Sequence, residues 1–531
     1  MAQSLNKILI RGVNWIGDAV LTTPAVKAVR KAFPDANISL LVKPRVAEIF
    51  KGNPDINEII LYEDRFNSIT GKLKLARILK SRGFNKAILL QNAFDAAFVA
   101  WLSGIPERIG YRRDWRRLLL TKPVPVYPVR KQSQGFFSRG VEKNPLKQHH
   151  VYYYLNLLKE SLNIFPEEVE TYIYLEEEEI KQAKNLLRQS LSLNSKSHIV
   201  GINPGATYGS AKRWMPERFA KLIQKIVSKL DAEVIIFGDK AEIEIANEIL
   251  SHFPSQPPRL LNLAGKTGLR QLIALIHECD ALITNDSGPM HIASALLVPV
   301  VAIFGSTDRA ATGPFGEGHN VVSKDIPCSP CLKSECPEGH LNCMKEITEE
   351  DVFGTLQKTL PKGKAVFLDR DGTLNEDTGY LNSFSNLKIF QDVRESLKRL
   401  KKAGFRLIGI TNQSGIARGL ISEEFVRAAN AYLQKNLVMD DFYFCPHLPD
   451  NGCQCRKPKP LLPHKARLKY GINLKASYVI GDKTLDMLLA KAIGAKAILV
   501  LTGHDRESKE ADFTAKNLTE AVDWILKQEK L

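Results

Sequence analysis

No stretch of this chain approaches the roughly 18 consecutive apolar residues of a membrane-spanning helix, so nothing in the sequence reads as an integral membrane segment. The N-terminus, Met1-Ala-Gln-Ser-Leu-Asn-Lys-Ile-Leu-Ile10, runs into a strand-like segment without the long apolar stretch of a secretory leader. The expected compartment is therefore the cytoplasm. Low-complexity tracts and short repeats are also missing, which excludes linker-dominated and solenoid architectures. Cysteine is sparse, at eight residues, and unevenly placed: Cys328, Cys331, Cys336 and Cys343 form one group, Cys445, Cys453 and Cys455 another, and Cys279 stands alone. In a reducing compartment such clustering favours metal ligation over disulfides.

What is present is an ordinary globular composition, 44% hydrophobic and 25% charged, over 531 residues, enough for about three domains. A formal charge of +16 implies an anionic partner. Nucleic acid is disfavoured as that partner, because no binding module or single dense basic face is evident; anionic sugars and lipids account for the charge equally well.

Strand-like and helix-like segments alternate through residues 7 to about 180: Lys7–Arg11, a helical pattern from Ala19 to Lys31, then Ile38–Val42 and Lys86–Leu90. That alternation predicts a parallel sheet with crossover helices. A helix over Glu176–Leu191 and a polar linker, Ser192–Ser197, precede a second series with strands at His198–Asn203, Glu233–Phe237, Ala281–Thr284 and Val300–Phe304. After the basic hinge Pro361-Lys-Gly-Lys364, a third series places strands near 365–369, 405–410, 477–481 and 497–501. The expected class is α/β: two Rossmann-like domains, 1–190 and 191–360, with a substrate cleft between them, then a third α/β domain, 361–531.

The third domain opens on Val366-Phe-Leu-Asp-Arg-Asp-Gly-Thr-Leu374. Asp369 and Asp371 sit at i and i+2 at a strand's carboxyl end, where a two-residue period points both the same way. With no neutralising neighbour in view, such a pair implies a divalent cation, one acid acting as nucleophile and the other as proton shuttle. Thr411, Asp482, Lys483 and Asp486 lie at or just beyond other strand ends and can converge with them at a switch point of the sheet. Cys445, His447, Cys453 and Cys455 supply three sulfurs and one nitrogen, enough to close a tetrahedral zinc site.

Asp369-Arg-Asp-Gly-Thr373, Thr411-Asn-Gln-Ser-Gly-Ile-Ala-Arg-Gly419 and Gly481-Asp-Lys-Thr-Leu-Asp-Met487 together resemble the haloacid-dehalogenase-superfamily phosphatases, specifically those acting on heptose 1,7-bisphosphate. Histidinol phosphatases, with a comparably compact cysteine loop, are the second resemblance. The first implies that Asp369 attacks phosphorus, that Asp371 serves as acid and base, and that Thr411 and Lys457 stabilise the transferring phosphoryl group. Mg²⁺ would be held by Asp369, Asp482 and the backbone carbonyl of Asp371, with Asp486 in support. The zinc would be structural, its loop ending at Lys457.

In the first two domains, Arg11-Gly-Val-Asn-Trp-Ile-Gly-Asp18 joins a strand to a helix, a turn any Rossmann-like unit uses, with Asp18 open to a capping role. Asn203-Pro-Gly-Ala-Thr-Tyr-Gly-Ser-Ala-Lys-Arg-Trp214 and Thr284-Asn-Asp-Ser-Gly-Pro-Met-His291 each run from a strand towards a helix. A Ser-Gly turn at a helix start offers bare N–H groups and a positive dipole end to a diphosphate. In this order the segments resemble family 9 glycosyltransferases of the GT-B type, the lipopolysaccharide heptosyltransferases. That resemblance implies Asp18 as general base, Lys212 and Thr207 on the diphosphate of ADP-heptose, and Asp286, Ser287, Gly288, Met290 and His291 lining the donor site, with Glu242 near the nucleoside. The implied partners are ADP-heptose, heptose bisphosphate and a lipopolysaccharide inner-core acceptor, with peripheral contact to the inner membrane surface.

Two features stay open. Arg108-Ile-Gly-Tyr-Arg-Arg-Asp-Trp-Arg-Arg117 reads either as a solvated face or as a contact for an acidic, phosphorylated acceptor. Cys328, Cys331, Cys336 and Cys343 read as a zinc or iron–sulfur site, or as free thiols in a loop.

Overall fold

The structure, a computed structural model, describes residues 6–126, 149–191, 197–230, 232–255, 257 and 259–530. Most of the linker expected at Ser192–Ser197 lies outside the described residues. Contacts divide the chain into two compact units, one running to Thr359 and the other from Leu360 onward.

The first unit holds two parallel six-stranded sheets. One is built from β1 (Lys7–Arg11), β2 (Asn37–Val42), β3 (Glu58–Leu61), β4 (Lys86–Leu89), β5 (Glu107–Tyr111) and β6 (Lys122–Val124), in the order β3-β2-β1-β4-β5-β6. The other takes β7 (His198–Asn203), β8 (Ala232–Ile236), β9 (Leu260–Asn262), β10 (Ala281–Asn285), β11 (Val300–Ile303) and β12 (Asn320–Val322), in the order β12-β11-β10-β7-β8-β9. The second unit repeats the plan with β13 (Ala365–Leu368), β14 (Arg406–Asn412), β15 (Asp441–Cys445), β16 (Tyr478–Gly481), β17 (Lys496–Val500) and β18 (Phe513–Ala515), ordered β15-β14-β13-β16-β17-β18.

All three sheets therefore share one topology, in which the first and fourth strands are neighbours and the winding reverses between them. Chain leaving those two strands parts to opposite faces and opens a crevice at their carboxyl ends. The apolar runs that form the central strands are buried on both sides. Val366 and Leu368 enter one core while Ala365 and Phe367 enter the other, as a period of two demands. In the first sheet Ile8 and Ile10 face a core that continues into the second sheet's helices, and Leu9 faces the opposite layer. That shared core joins the two lobes of the first unit, with the helix Ile16–Ala32 packed on the helix Gly288–Ala295.

Strands expected at Lys7–Arg11 and His198–Asn203 match β1 and β7 residue for residue. The strands not expected are the six sheet edges, β3, β6, β9, β12, β15 and β18, and one interior strand, β5, whose residues read only as the start of a basic run. An edge strand is covered incompletely and can be short and mixed in polarity, so it carries no long apolar run to read.

Candidate active sites

In the second unit the switch point between β13 and β16 gathers the acids. Asp369 follows β13 directly and Asp482 follows β16. The carboxylates of Asp369, Asp482 and Asp486 come within 4.8 Å of one another, all three buried. Gly372 is obligatory in the intervening turn: its φ is +88°, and a Cβ there would sit 2.4 Å from Asp482 Oδ2. Lys457 Nζ lies among these acids, 2.8 Å from Asp369 Oδ1 and 2.6 Å from Asp486 Oδ1, and donates to Ile410 O at 2.9 Å. Burial, then the Asp369 charge, pushes Asp482 up to about 6. Burial likewise lifts Asp486 to about 7, against the pull of Lys457. Asp482 Oδ1 is buried with no hydrogen-bond partner. Three crowded hard oxygen donors, one holding an orphaned acceptor, fit a divalent cation.

Asp371 is not in that trio. Its Oδ1 accepts from Arg370 Nε at 3.1 Å and Asn375 Nδ2 at 3.0 Å; its Oδ2 accepts from Arg370 Nη2 and Gln413 Nε2, both at 2.9 Å. Gln413 Nε2 also donates to Thr411 Oγ1 at 2.8 Å, and Arg370, itself buried, is anchored on Asn430 Oδ1 at 3.1 Å. The premise that the acid pair lacks neutralising neighbours is thus corrected. Lys457 neutralises Asp369, and Arg370, the residue between the two acids, neutralises Asp371. Arg370 and Gln413 lie inside the motifs read from sequence; their aim at Asp371 is a tertiary fact.

The cysteine loop is preassembled. Cys445 Sγ stands 3.6 Å from both His447 Nδ1 and Cys453 Sγ, and His447 Nδ1 stands 3.2 Å from Cys455 Sγ. Metal–sulfur bonds of about 2.3 Å in a tetrahedron require sulfurs about 3.8 Å apart, so the donor set fits zinc without rearrangement. The loop also fixes Lys457. Cys445 pairs with Asn412 across β14 and β15, and Asn412 Oδ1 accepts the Lys457 backbone N–H at 3.0 Å.

In the first unit, Asp18 lies in the first turn of its helix, beyond the end of β1. Burial raises its pKa, against His150 and Lys212. Lys212 Nζ pairs with Asp286 Oδ2 at 2.6 Å and lies over the Tyr208 ring. Thr307, which carried no sequence signal, donates to the same Asp286 oxygen at 2.6 Å. Ser287 precedes the helix Gly288–Ala295 without capping it, its hydroxyl bonding Thr284 Oγ1 at 3.0 Å. Pro289 has no N–H and the Met290 N–H donates to Ser287 O at 3.2 Å, so the N–H at the very start of the helix, that of Gly288, is the one open to a ligand. Gly288 lies against Ile16. His291 is buried, its pKa pulled down to about 4 by that burial, and its Nδ1 has no partner. Gly17 abuts its ring: a Cβ at Gly17 would fall 2.7 Å from His291 Cδ2. Met290 is in the shared core. Glu242 closes over Gly205 in the loop after β7, where any Cβ would collide with its carboxylate, and Thr207 stands exposed in that loop.

The basic run is divided: Arg112, Arg113 and Arg117 are exposed and Arg116 is buried. Cys328, Cys331, Cys336 and Cys343 line one small cavity with His340, but no three of their sulfurs lie within 4.8 Å of each other. No described helix is long and apolar enough to cross a membrane.

Residues 72–342 match the family model of glycosyltransferase family 9 (heptosyltransferase), and residues 454–523 match a HAD-hydrolase-like model. The chain is 32% identical over 350 residues to lipooligosaccharide heptosyltransferase 2 of Campylobacter jejuni, covering 65% of this chain and 96% of that protein. Over 168 residues it is 40% identical to D-glycero-beta-D-manno-heptose-1,7-bisphosphate 7-phosphatase of Helicobacter pylori, covering 30% of this chain and 97% of that one. Among solved structures, the ADP-heptose lps heptosyltransferase II of E. coli superposes with a TM-score of 0.54 at 28% identity, over 66% of this chain and 98% of that one.

Proposed function

This chain belongs to the family 9 glycosyltransferases through its first unit and to the haloacid-dehalogenase-like heptose bisphosphate phosphatases through its second, and we propose from that membership a bifunctional enzyme of lipopolysaccharide heptose metabolism. One site transfers heptose from ADP-heptose to the inner core; the other removes the 7-phosphate of heptose 1,7-bisphosphate. The phosphatase reading is carried by one observation: Lys457 bridges Asp369 and Asp486 in a buried acid cluster with an unsatisfied carboxylate oxygen.

In that site Asp369 attacks phosphorus. A carboxylate–phosphorus bond forms as the sugar oxygen–phosphorus bond breaks, and Asp371 delivers a proton to the departing sugar oxygen. Asp371 then takes a proton from the water that cleaves the aspartyl-phosphate. Lys457 and Thr411 stabilise the charge on the transferring group. Mg²⁺, held by Asp369, Asp482 and the Asp371 carbonyl with Asp486 in support, would offset charge among these oxygens. Arg370, Asn375 and Gln413 are positioning residues that orient the Asp371 carboxylate. A zinc held by Cys445, His447, Cys453 and Cys455 would serve structure, fixing the loop that carries Lys457.

In the transferase, Asp18 takes the proton of the acceptor hydroxyl as its oxygen bonds to the sugar's anomeric carbon, and ADP departs. The raised pKa of Asp18 suits a base. Lys212, with Thr207 and the open N–H of Gly288, receives the diphosphate; Asp286 holds Lys212 until then. Glu242 faces the nucleoside. His291 and Met290 act through packing, seating the donor helix against the Gly17–Asp18 turn. Work on a lipid-anchored acceptor would bring the protein to the inner face of the cytoplasmic membrane.

Two assays on the intact protein test the halves separately. Heptose 1,7-bisphosphate with Mg²⁺ should release one phosphate, and no release overturns the phosphatase reading. ADP-heptose with a Kdo–lipid A acceptor bearing its first heptose should yield ADP and an extended core; no transfer overturns the other.

A further inference from the structure

After β5 ends at Tyr111, the chain makes a tight excursion before β6. Two of its side chains are almost wholly in solvent, Trp115 at 94% and Leu118 at 91% exposure. Large apolar groups so bare are uncommon unless something covers them in use. Nor is this a slack loop. Arg116, between them in sequence, is fully buried: its Nε donates to Tyr111 O at 2.7 Å, its Nη2 to Asn92 Oδ1 at 3.1 Å, and its Nη1 to Gln91 O. Asp114 and Trp115 take positive φ, 52° and 62°, a conformation costly for residues with side chains. A buried guanidinium thus pins a strained turn whose evident result is to thrust Trp115 and Leu118 outward.

The surroundings select the partner. Arg112, Arg113 and Arg117 flank the two apolar tips and are exposed. The helix Phe94–Leu102, packed against this turn, adds a stacked stripe of Phe94, Phe98 and Trp101, with Phe94 and Trp101 about half exposed. Around the two apolar tips three exposed arginines outnumber the single exposed acid, Asp114, so the rim of the patch carries net positive charge. Tryptophan beside arginine suits the headgroup level of an anionic bilayer, the ring in the interface and the guanidinium on lipid phosphate. Because the sheet is parallel, the turn after β5 lies on the same edge as Asp18, which follows β1.

We infer that residues 112–118 form a membrane-docking wedge for an anionic phospholipid surface, with Trp115 and Leu118 entering the interface and Arg112, Arg113 and Arg117 on the headgroup phosphates. This deepens the transferase reading, since it brings the acceptor-side edge of the first lobe to the surface that anchors the acceptor.

The test is co-sedimentation of the intact protein with vesicles containing no acceptor, either phosphatidylglycerol-rich or pure phosphatidylcholine. The wild type should bind the anionic vesicles at least tenfold more strongly, with an affinity that falls as salt rises. W115A/L118A should lose at least tenfold of that binding, and each arginine removed from the R112A/R113A/R117A set should cost about fivefold. On a water-soluble, delipidated acceptor W115A/L118A should turn over as the wild type does. Equal vesicle binding by W115A/L118A and wild type overturns the wedge, as does a wild type that binds neither vesicle. Loss of a wild-type dimer in W115A/L118A with unchanged vesicle binding would overturn it in favour of self-association. A protein that binds anionic vesicles but transfers heptose to no acceptor keeps the wedge and removes the functional reading.

Discussion

Replacing Lys457 by methionine keeps the volume and removes the charge. The ammonium is buried, about 4% exposed, and neutralises Asp369 and Asp486 at 2.8 and 2.6 Å. Breaking a buried pair by deleting one partner costs about 3–5 kcal/mol, because the remaining charge is left uncompensated. For a unit of about 170 residues at roughly 2–4 °C per kcal/mol, its melting transition should fall by ~10 °C near neutral pH. The cost should depend on pH in a defined direction. Asp482 at about 6 and Asp486 at about 7 both lie above the ordinary 3.8. The stability that their protonated forms contribute is full below the unfolded value and lost as pH rises through 6 to 7. Removing the lysine pushes both higher, so each proton the variant retains and wild type has lost adds up to ~1.4 kcal/mol to the deficit per pH unit. The deficit should therefore be small near about pH 5.5, grow towards about pH 8, and shrink at high pH when Mg²⁺ is added. Turnover of heptose bisphosphate should fall roughly 10²–10³-fold, the usual loss for one preorganised donor on developing charge. Differential scanning calorimetry across pH, with phosphate release, reads both. A K457M protein that melts like the wild type at pH 8 or keeps a third of its turnover would refute the reasoning.

Four further outcomes follow from the same geometry. In the wild type, Mg²⁺ should bind more tightly as pH rises through 6 to 7, since protons on Asp482 and Asp486 compete with it; a pH-independent affinity by calorimetry would count against this cluster as the cation site. Arg370→Met, which frees Asp371, should lower turnover of the sugar phosphate about 10²–10³-fold but affect phosphoryl transfer from an aryl phosphate, whose leaving group needs no proton, far less; equal losses in pre-steady-state bursts would assign Arg370 to folding alone. Gly17→Ala, whose methyl would press to 2.7 Å on the buried His291 ring, should cost about 1–3 kcal/mol through overpacking and suppress heptosyl transfer while phosphate release is untouched. Cys453→Ser should reduce the zinc found by elemental analysis by one per chain and, by loosening the loop that carries Lys457, depress phosphatase turnover; unchanged zinc content would dismiss the loop as its ligand set.

How much of this was legible beforehand depends on whether the information is contiguous. The acid pair, the Thr411 and Asp482 segments and the cysteine loop each occupy a few adjacent residues at strand ends, where chemistry and turn requirements coincide. Residues that act on them from a distance were not legible as such. Gln413 is an ordinary amide until β14 carries it to Asp371, and Thr307 meets Asp286 from another loop. Arg116 looks like its neighbours in a basic run, yet it alone is buried and holds the turn.

By itself the sequence determined the local chemistry on offer: which carboxylates, thiols, hydroxyls and amines are present, and that the acid pair and its companions stand at the carboxyl ends of buried strands. That much follows from side-chain type and a period of two. Tertiary structure alone decided which charges are neutralised and by what, because neutralisation depends on approach within a few ångströms between residues far apart in the chain. It also decided which members of a basic, aromatic run are buried and which reach solvent, since composition alike in the two cases says nothing of the direction a turn takes.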